Sequence, residues 1–144
     1  MKSTSIKEKI LELFEEEFGF LKDKFEIMDL LANGSPLEYN TIEYLKLPSE
    51  ENNIVWHPGV YLFIGNNSVY RVGASVRNSR SRVMEHIANE TSQGEYCVLD
   101  IDKYEDKSII LFNVKDINDR HWLLSLEVFL EKSLKPLITS KRIG

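Results

Sequence analysis

The chain has 144 residues, a mass of 16.7 kDa, 42% hydrophobic and 28% charged residues, and a formal net charge of −5. These values describe one globular domain with a sizeable core and exclude a disordered or collagen-like chain. No apolar run reaches the roughly 18 residues of a membrane span. The start, MKSTSIKEKILELFEEEF, is too acidic for a secretory signal, and the single Cys97 excludes an internal disulfide or a site of paired cysteines. A cytoplasmic location is expected.

The first segment, from Ser5 to about Asn33, has a helical pattern. Ser5 with Glu8 fits a capping box. Ile6, Ile10, Leu13, Phe14, Leu21, Phe25 and Met28 recur at three- and four-residue spacing, with Gly19 as a point of kinking or splitting. Asn33-Gly34 is a stop signal, and Ser35-Pro36-Leu37-Glu38 is suited to opening another short helix. Residues 48–58 read as a loop. GVYLFIG and SVYRVGAS then predict a β-hairpin around Asn66-Asn67. Residues 78–89 predict a helix, TSQG a break, and Tyr96–Ile101 and Ser108–Val114 two further strands. A final helix starts near Asn118-Asp119 and ends before Pro136.

The hairpin register decides which side chains meet. A two-residue loop, Asn66-Asn67, pairs Tyr61 with Val72 and sends Arg71 to the face of Val60, Leu62 and Ile64. A three-residue loop, Gly65-Asn66-Asn67, pairs Tyr61 with Arg71 and turns both away from that face. Burying an unpaired arginine costs several kcal/mol. The three-residue loop is therefore expected, with Asn67 in the left-handed conformation.

Charge is unevenly placed. Residues 1–56 hold 6 Lys, no Arg and 12 Asp or Glu, a balance of −6, whereas residues 57–144 come to +1. Four of the six arginines (Arg71, Arg77, Arg80 and Arg82) fall within twelve residues, and no acid lies between Asn66 and Met84. Local basic density governs phosphate binding, although a solvated Arg-rich loop has the same composition.

Five residues stand out: Tyr61 and Arg71 on the hairpin, Arg82 and His86 on one helix face at i and i+4, and Glu127 inside WLLSLEVFLEKSL. A carboxylate centred in so apolar a helix needs a cation, donors or a metal. Each residue also has a purely structural reading. Tyr61 fits a strand aromatic, Arg71 a surface cation, and His86 a structural histidine. Arg82 has Glu85 as a partner. Glu127 has Lys132 or Arg120, or shares a solvated stripe with Glu131.

In combination these motifs resemble the GIY-YIG nuclease superfamily. Gly59-Val60-Tyr61 matches its first motif and Arg71-Val72-Gly73 its second, with Arg71 where tyrosine is usual and Tyr70 displaced by one position. Arg82 and His86 match the Arg-x-x-x-His helix, and Glu127 with Lys135-Pro136 the carboxylate helix. Leu137-Ile138-Thr139-Ser140 lacks the asparagine that many members carry there. The similarity covers about residues 57–140. It implies an α+β fold, with a small, mainly antiparallel central sheet flanked by helices. The expected organisation is an acidic helical extension at 1–56 and a nuclease-like domain at 57–144, parts of one compact unit. It also implies hydrolysis of DNA to 5′-phosphate and 3′-hydroxyl ends with Mg²⁺ (or Mn²⁺) on Glu127. Arg82 would bind phosphate, His86 would support it, and Tyr61 would take a proton from water. Arg77, Arg80 and Lys135 are the expected DNA contacts.

Free tyrosine has a pKa about three units above neutral, a gap of roughly 4 kcal/mol. A neighbouring cation supplies about one to three units, and Arg71 is placed for it; an arginine is not itself a general base. A homodimer through residues 1–56 is expected by analogy with restriction-type enzymes. Two other readings stand beside the endonuclease. One is an inactive nucleic-acid-binding module, favoured by Arg71 and the missing asparagine. The other is a protein-interaction domain, favoured by the acidic first segment.

Overall fold

The computed structural model describes residues 5–31, 37 and 54–139. The stop at Asn33-Gly34, the short helix expected at 35–38 apart from Leu37, the loop at 48–53, Ser140 and Arg142 lie outside the described residues. Helix α1 (Ile6–Phe18) is followed by a 3-10 segment and strand β1 (Phe25–Asp29). The hairpin of β2 (Gly59–Gly65) and β3 (Ser68–Ser75) leads into helix α2 (Ser79–Ala88). A short ribbon, β4 (Ser92–Gln93) and β5 (Tyr96–Cys97), precedes β6 (Ser108–Val114) and helix α3 (Leu123–Leu134). The fold is α+β, with one antiparallel sheet in the order β1-β6-β2-β3 and helices on its two faces.

All seven residues of β2, and all seven of β6, are buried. Strands covered on both faces read as continuous apolar runs, which is why GVYLFIG and SIILFNV lack polar alternation. On one face Val60, Leu62, Ile64, Val72, Ile110 and Phe112 pack with α1 and α3. On the other, Tyr61, Phe63, Ile109 and Leu111 pack with Val83, Met84 and Ile87 of α2.

Helix α1 begins at the expected cap, where the Ser5 hydroxyl accepts from the Glu8 amide at 3.2 Å, one half of the expected capping box. Asn67 Oδ1 accepts from the Ile6 amide at 2.8 Å, so the hairpin turn also holds the helix start. The helix does not continue to Asn33. It ends at Phe18, and Phe25 and Met28 lie on β1, paired with β6 from Phe25 opposite Val114 to Asp29 opposite Ile110. The sheet rewards Phe25–Asp29 with a hydrogen-bonded ladder along β6, and this tertiary gain overrides a helix-like spacing. Residues 1–56 therefore contribute a strand to the sheet as well as a helix.

The strand expected at Tyr96–Ile101 is also shorter. Only Tyr96 and Cys97 are extended, and Val98–Lys103 form a 3-10 turn. The Asp100 carboxylate accepts from the Cys97 amide at 2.9 Å, and Val98 and Ile101 enter the core together, as three-residue spacing allows. The last helix is preceded by a 3-10 turn over Ile117–Trp122 and closes at Lys135, which has φ 50°.

The hairpin loop has two residues, not three. Asn66 and Asn67 both have positive φ, 52° and 57°, as a tight two-residue turn requires. A bulge between Phe63 and Ile64 then absorbs one residue: Ile64 pairs with Val69 but Phe63 with Arg71. The bulge reverses the parity of the ladder. Tyr61 and Arg71 still share the face opposite Val60, Leu62 and Val72, but Tyr61 lies across from Gly73 and Arg71 from Phe63. The outer edge of β3 is covered by the chain after α3, where the Leu137 and Ile138 amides donate to the Val69 and Tyr70 carbonyls at 3.1 and 2.8 Å.

Candidate active site

Glycine is required where β2 and β3 cross. A Cβ on Gly73 would lie 2.7 Å from Tyr61 Cε2 and overlap the end of the phenol ring. Gly73 thus lets the Tyr61 ring lie across its neighbouring strand. Tyr61 is 1% exposed and stands edge-on to Phe63, with ring centroids 6.2 Å apart.

Helix α2 is set against this strand by a buried polar node. Ser79 Oγ donates to Asn113 Oδ1 at 2.5 Å, and Asn113 Nδ2 donates to the Ile54 carbonyl at 2.8 Å. A Cβ on Gly59 would collide with the Asn113 amide. Asn78 Oδ1 caps the helix by accepting from the Ser81 amide at 3.0 Å. With its start pinned in this way, α2 delivers His86 to Tyr61.

The Tyr61 hydroxyl and His86 Nε2 are 2.8 Å apart, and His86 Nδ1 is 2.6 Å from Thr91 Oγ1. Phe63 stands edge-on to the imidazole at 6.2 Å. His86 is 4% exposed. Burial first, then the charges of Arg71 and Arg82, push its pKa down to about 3, so the imidazole is neutral. Tyr61 moves the other way from the sequence-based expectation. Burial raises its pKa, and Arg71 and Arg82 offset only part of that rise. A neutral phenol and a neutral imidazole thus share the hydrogen bond at pH 7.

Arg71 is half-buried, and its buried Nε has no hydrogen-bond partner among the described residues. A donor left so costs roughly 1–3 kcal/mol. Arg82 donates from Nη1 to Glu85 Oε2 at 2.6 Å, the pairing noted in the sequence; this bond is the main cause of its raised pKa. Arg71, Arg82, His86 and Thr91 line an open cleft of about 720 Å³, closed at one side by Gln93 and Thr139. Gln93 Oε1 accepts from the Thr139 amide at 2.8 Å and from its hydroxyl at 3.1 Å, which ties the β4–β5 ribbon to the chain beyond α3.

Four of the five singled-out residues therefore converge: Tyr61, Arg71, Arg82 and His86. Tyr61 joins the other three through its bond to His86 and not by lining the cleft. Glu127 is on α3, the helix packed on the opposite face, is 7% exposed and does not line the cleft either. Of the expected DNA contacts, Arg77 and Lys135 are exposed. Arg80, the third expected contact, is buried at 3% exposure. Asn113, Ser79, Thr91, Gln93 and Thr139 were not singled out. Thr91 had one legible signal, its position five residues beyond His86, just past the helix end.

Comparison with known proteins gives no matching family model, no matching curated protein and no matching solved structure.

Proposed function

We propose that this protein is a Mg²⁺-dependent DNA endonuclease that hydrolyses phosphodiester bonds to 5′-phosphate and 3′-hydroxyl ends. The observation that carries the reading is the Tyr61–His86 hydrogen bond at 2.8 Å, set beside the two arginines of the cleft. Arg71 and Arg82 bind the non-bridging oxygens and stabilise the charge that builds on them. Burial is the main reason His86 is neutral, and the Arg71 and Arg82 charges add to it; phosphate offsets that second part, so substrate raises the proton affinity of the imidazole. Tyr61 accepts a proton from the attacking water as its own proton passes to His86 Nε2. No free phenolate is needed, which suits a phenol whose pKa burial raises. In this arrangement Nδ1–H donates to Thr91 Oγ1 and keeps the ring in the required tautomer.

A divalent cation, Mg²⁺ or Mn²⁺, would stabilise charge on the leaving oxygen. Glu127 is the carboxylate the resemblance assigns to it, and one carboxylate with retained waters suits the chemistry of Mg²⁺; Glu127 is not among the residues lining the cleft, so no step is routed through it. Arg77 and Lys135 would follow the DNA backbone. A cytoplasmic homodimer, meeting through α1 with exposed Leu11 and the following Phe20, belongs to the same proposal. For membranes the finding is narrower: no helix among the described residues is long and apolar enough to cross one.

Incubation with supercoiled plasmid tests the reading. Nicking or linearisation with Mg²⁺, abolished by EDTA and by Tyr61→Phe, Arg82→Ala and Glu127→Ala, is expected. Unchanged cleavage and metal dependence in Glu127→Ala would overturn the metal assignment. A salt-dependent gel shift without cleavage would favour a binding-only module, the reading that Arg71 at the second motif and the missing asparagine favour. No binding at low salt would remove nucleic acid from the proposal.

A further inference from the structure

A second cleft of about 530 Å³ lies on another face of α2, lined by Trp56, Arg80, Met84, Ala88 and the amide side chains of Asn78 and Asn89. Its volume is within the range of ligand sites. Trp56 is 43% exposed although its neighbour Val55 is fully buried. An indole held on an anchored turn beside a thioether and a methyl group offers a flat apolar surface. The amides and the buried Arg80 supply polar groups at the margin. This combination fits a heteroaromatic base better than an aliphatic ligand.

The cleft is connected to the catalytic one. A smaller depression between them shares Arg82 with the catalytic cleft and shares Asn78, Ser81 and Glu85 with the Trp56 cleft. Exposed Arg77 borders the depression, and the Arg82–Glu85 ion pair forms the ridge. The two clefts thus flank one helix, whose diameter is about 10–12 Å. A single strand is able to cross that ridge with its phosphates near Arg82 and Arg77. Among the described lining residues Glu85 is the one carboxylate on the route, and it is paired with Arg82.

We infer that Trp56 is a stacking platform for an unpaired nucleobase of the strand held in the catalytic cleft. The preferred substrate class is then DNA with a single-stranded or displaced segment. The inference rests on the nucleic-acid reading above but is independent of cleavage.

The chain has two tryptophans, and Trp122 packs against Phe20 at 5.9 Å. Trp122→Phe leaves Trp56 as the only indole. In EDTA, a short single-stranded oligodeoxynucleotide should quench Trp56 fluorescence in parallel with its binding followed by anisotropy, while a blunt duplex binds without quenching. Trp56→Ala should weaken single-strand binding about 5- to 100-fold, and Trp56→Phe should restore most of it. Circular dichroism of each variant separates this loss from misfolding. Binding with no quenching, and with equal affinity in Trp56→Ala, would overturn the platform and leave the endonuclease proposal standing. Failure of every oligonucleotide to bind would overturn both.

Discussion

On one face of the sheet Val60, Leu62 and Ile64 meet α1 and α3 in an apolar layer; on the other, Tyr61 and Phe63 of the same strand meet α2 and support His86. Alternate residues of β2 thus serve different ends. The first face is mainly aliphatic and aromatic, with Phe14 against Phe112 at 5.0 Å and against Phe25 at 5.6 Å, and the helix covering it carries the buried Glu127. The second also buries a phenol, an imidazole and part of a guanidinium. Buried polar groups are tolerable only when paired. Tyr61, His86 and Thr91 meet that condition through one chain of hydrogen bonds, and Arg71 Nε does not among the described residues. The difference teaches that one face of the fold is packed apolar surface and the other holds its paired buried polar groups.

Acid should separate the faces most strongly. Because the folded pKa of His86 is about 3 against an ordinary 6.5, the unfolded chain binds more protons between those values. Stability should therefore fall as pH drops from about 6.5 to 3, by up to about 5 kcal/mol from this group alone. Urea unfolding at a series of pH values would measure it. His86→Asn should flatten the curve in that window; an unchanged slope would show that His86 is protonated in the fold.

Paired substitutions on β2 sharpen the contrast further. Leu62→Ala, in the apolar layer, should cost about 2–5 kcal/mol in denaturant unfolding, with plasmid cleavage per folded molecule preserved. Tyr61→Phe should lose about 10²- to 10⁴-fold in cleavage at a much smaller cost in stability. Equal losses of both properties in both variants would erase the division between the faces.

Gly73→Ala drives a methyl group into the Tyr61 ring. It should cost about 1–3 kcal/mol and reduce cleavage out of proportion to the unfolded fraction. Thermal unfolding beside the plasmid assay would check both effects. The smallest effect is expected at the start of α1. Ser5→Ala removes the bond to the Glu8 amide and should lower stability by about 1 kcal/mol with no change in cleavage.

Several elements were legible because local chemistry dictates them. The two strands of the hairpin, α2, β6 and α3 have runs, caps or turn residues that few other structures would satisfy. The shared face of Tyr61 and Arg71 was legible too, for a sound reason, the cost of burying the arginine in the apolar layer. The means was not legible. A bulge at Tyr70, rather than a longer loop, supplies the parity. Nor was β1, since Phe25 and Met28 imitate a helical stripe and only the edge of β6 reveals their use. The direction of the Tyr61 shift is not legible in the sequence, because the neighbouring arginine is visible in the pattern and the depth of burial is not.

By itself the sequence determined which segments are apolar on both sides, where the chain turns, and which polar side chains are available for chemistry; these follow from backbone conformational limits and from the transfer of side chains out of water. Tertiary structure alone decided that His86 meets Tyr61, that Thr91 meets His86, and that Trp56 lines a cleft next to the arginines. Such meetings depend on how helices seat against a twisted sheet. That seating is a sum of many weak contacts across distant parts of the chain, and no single residue encodes it.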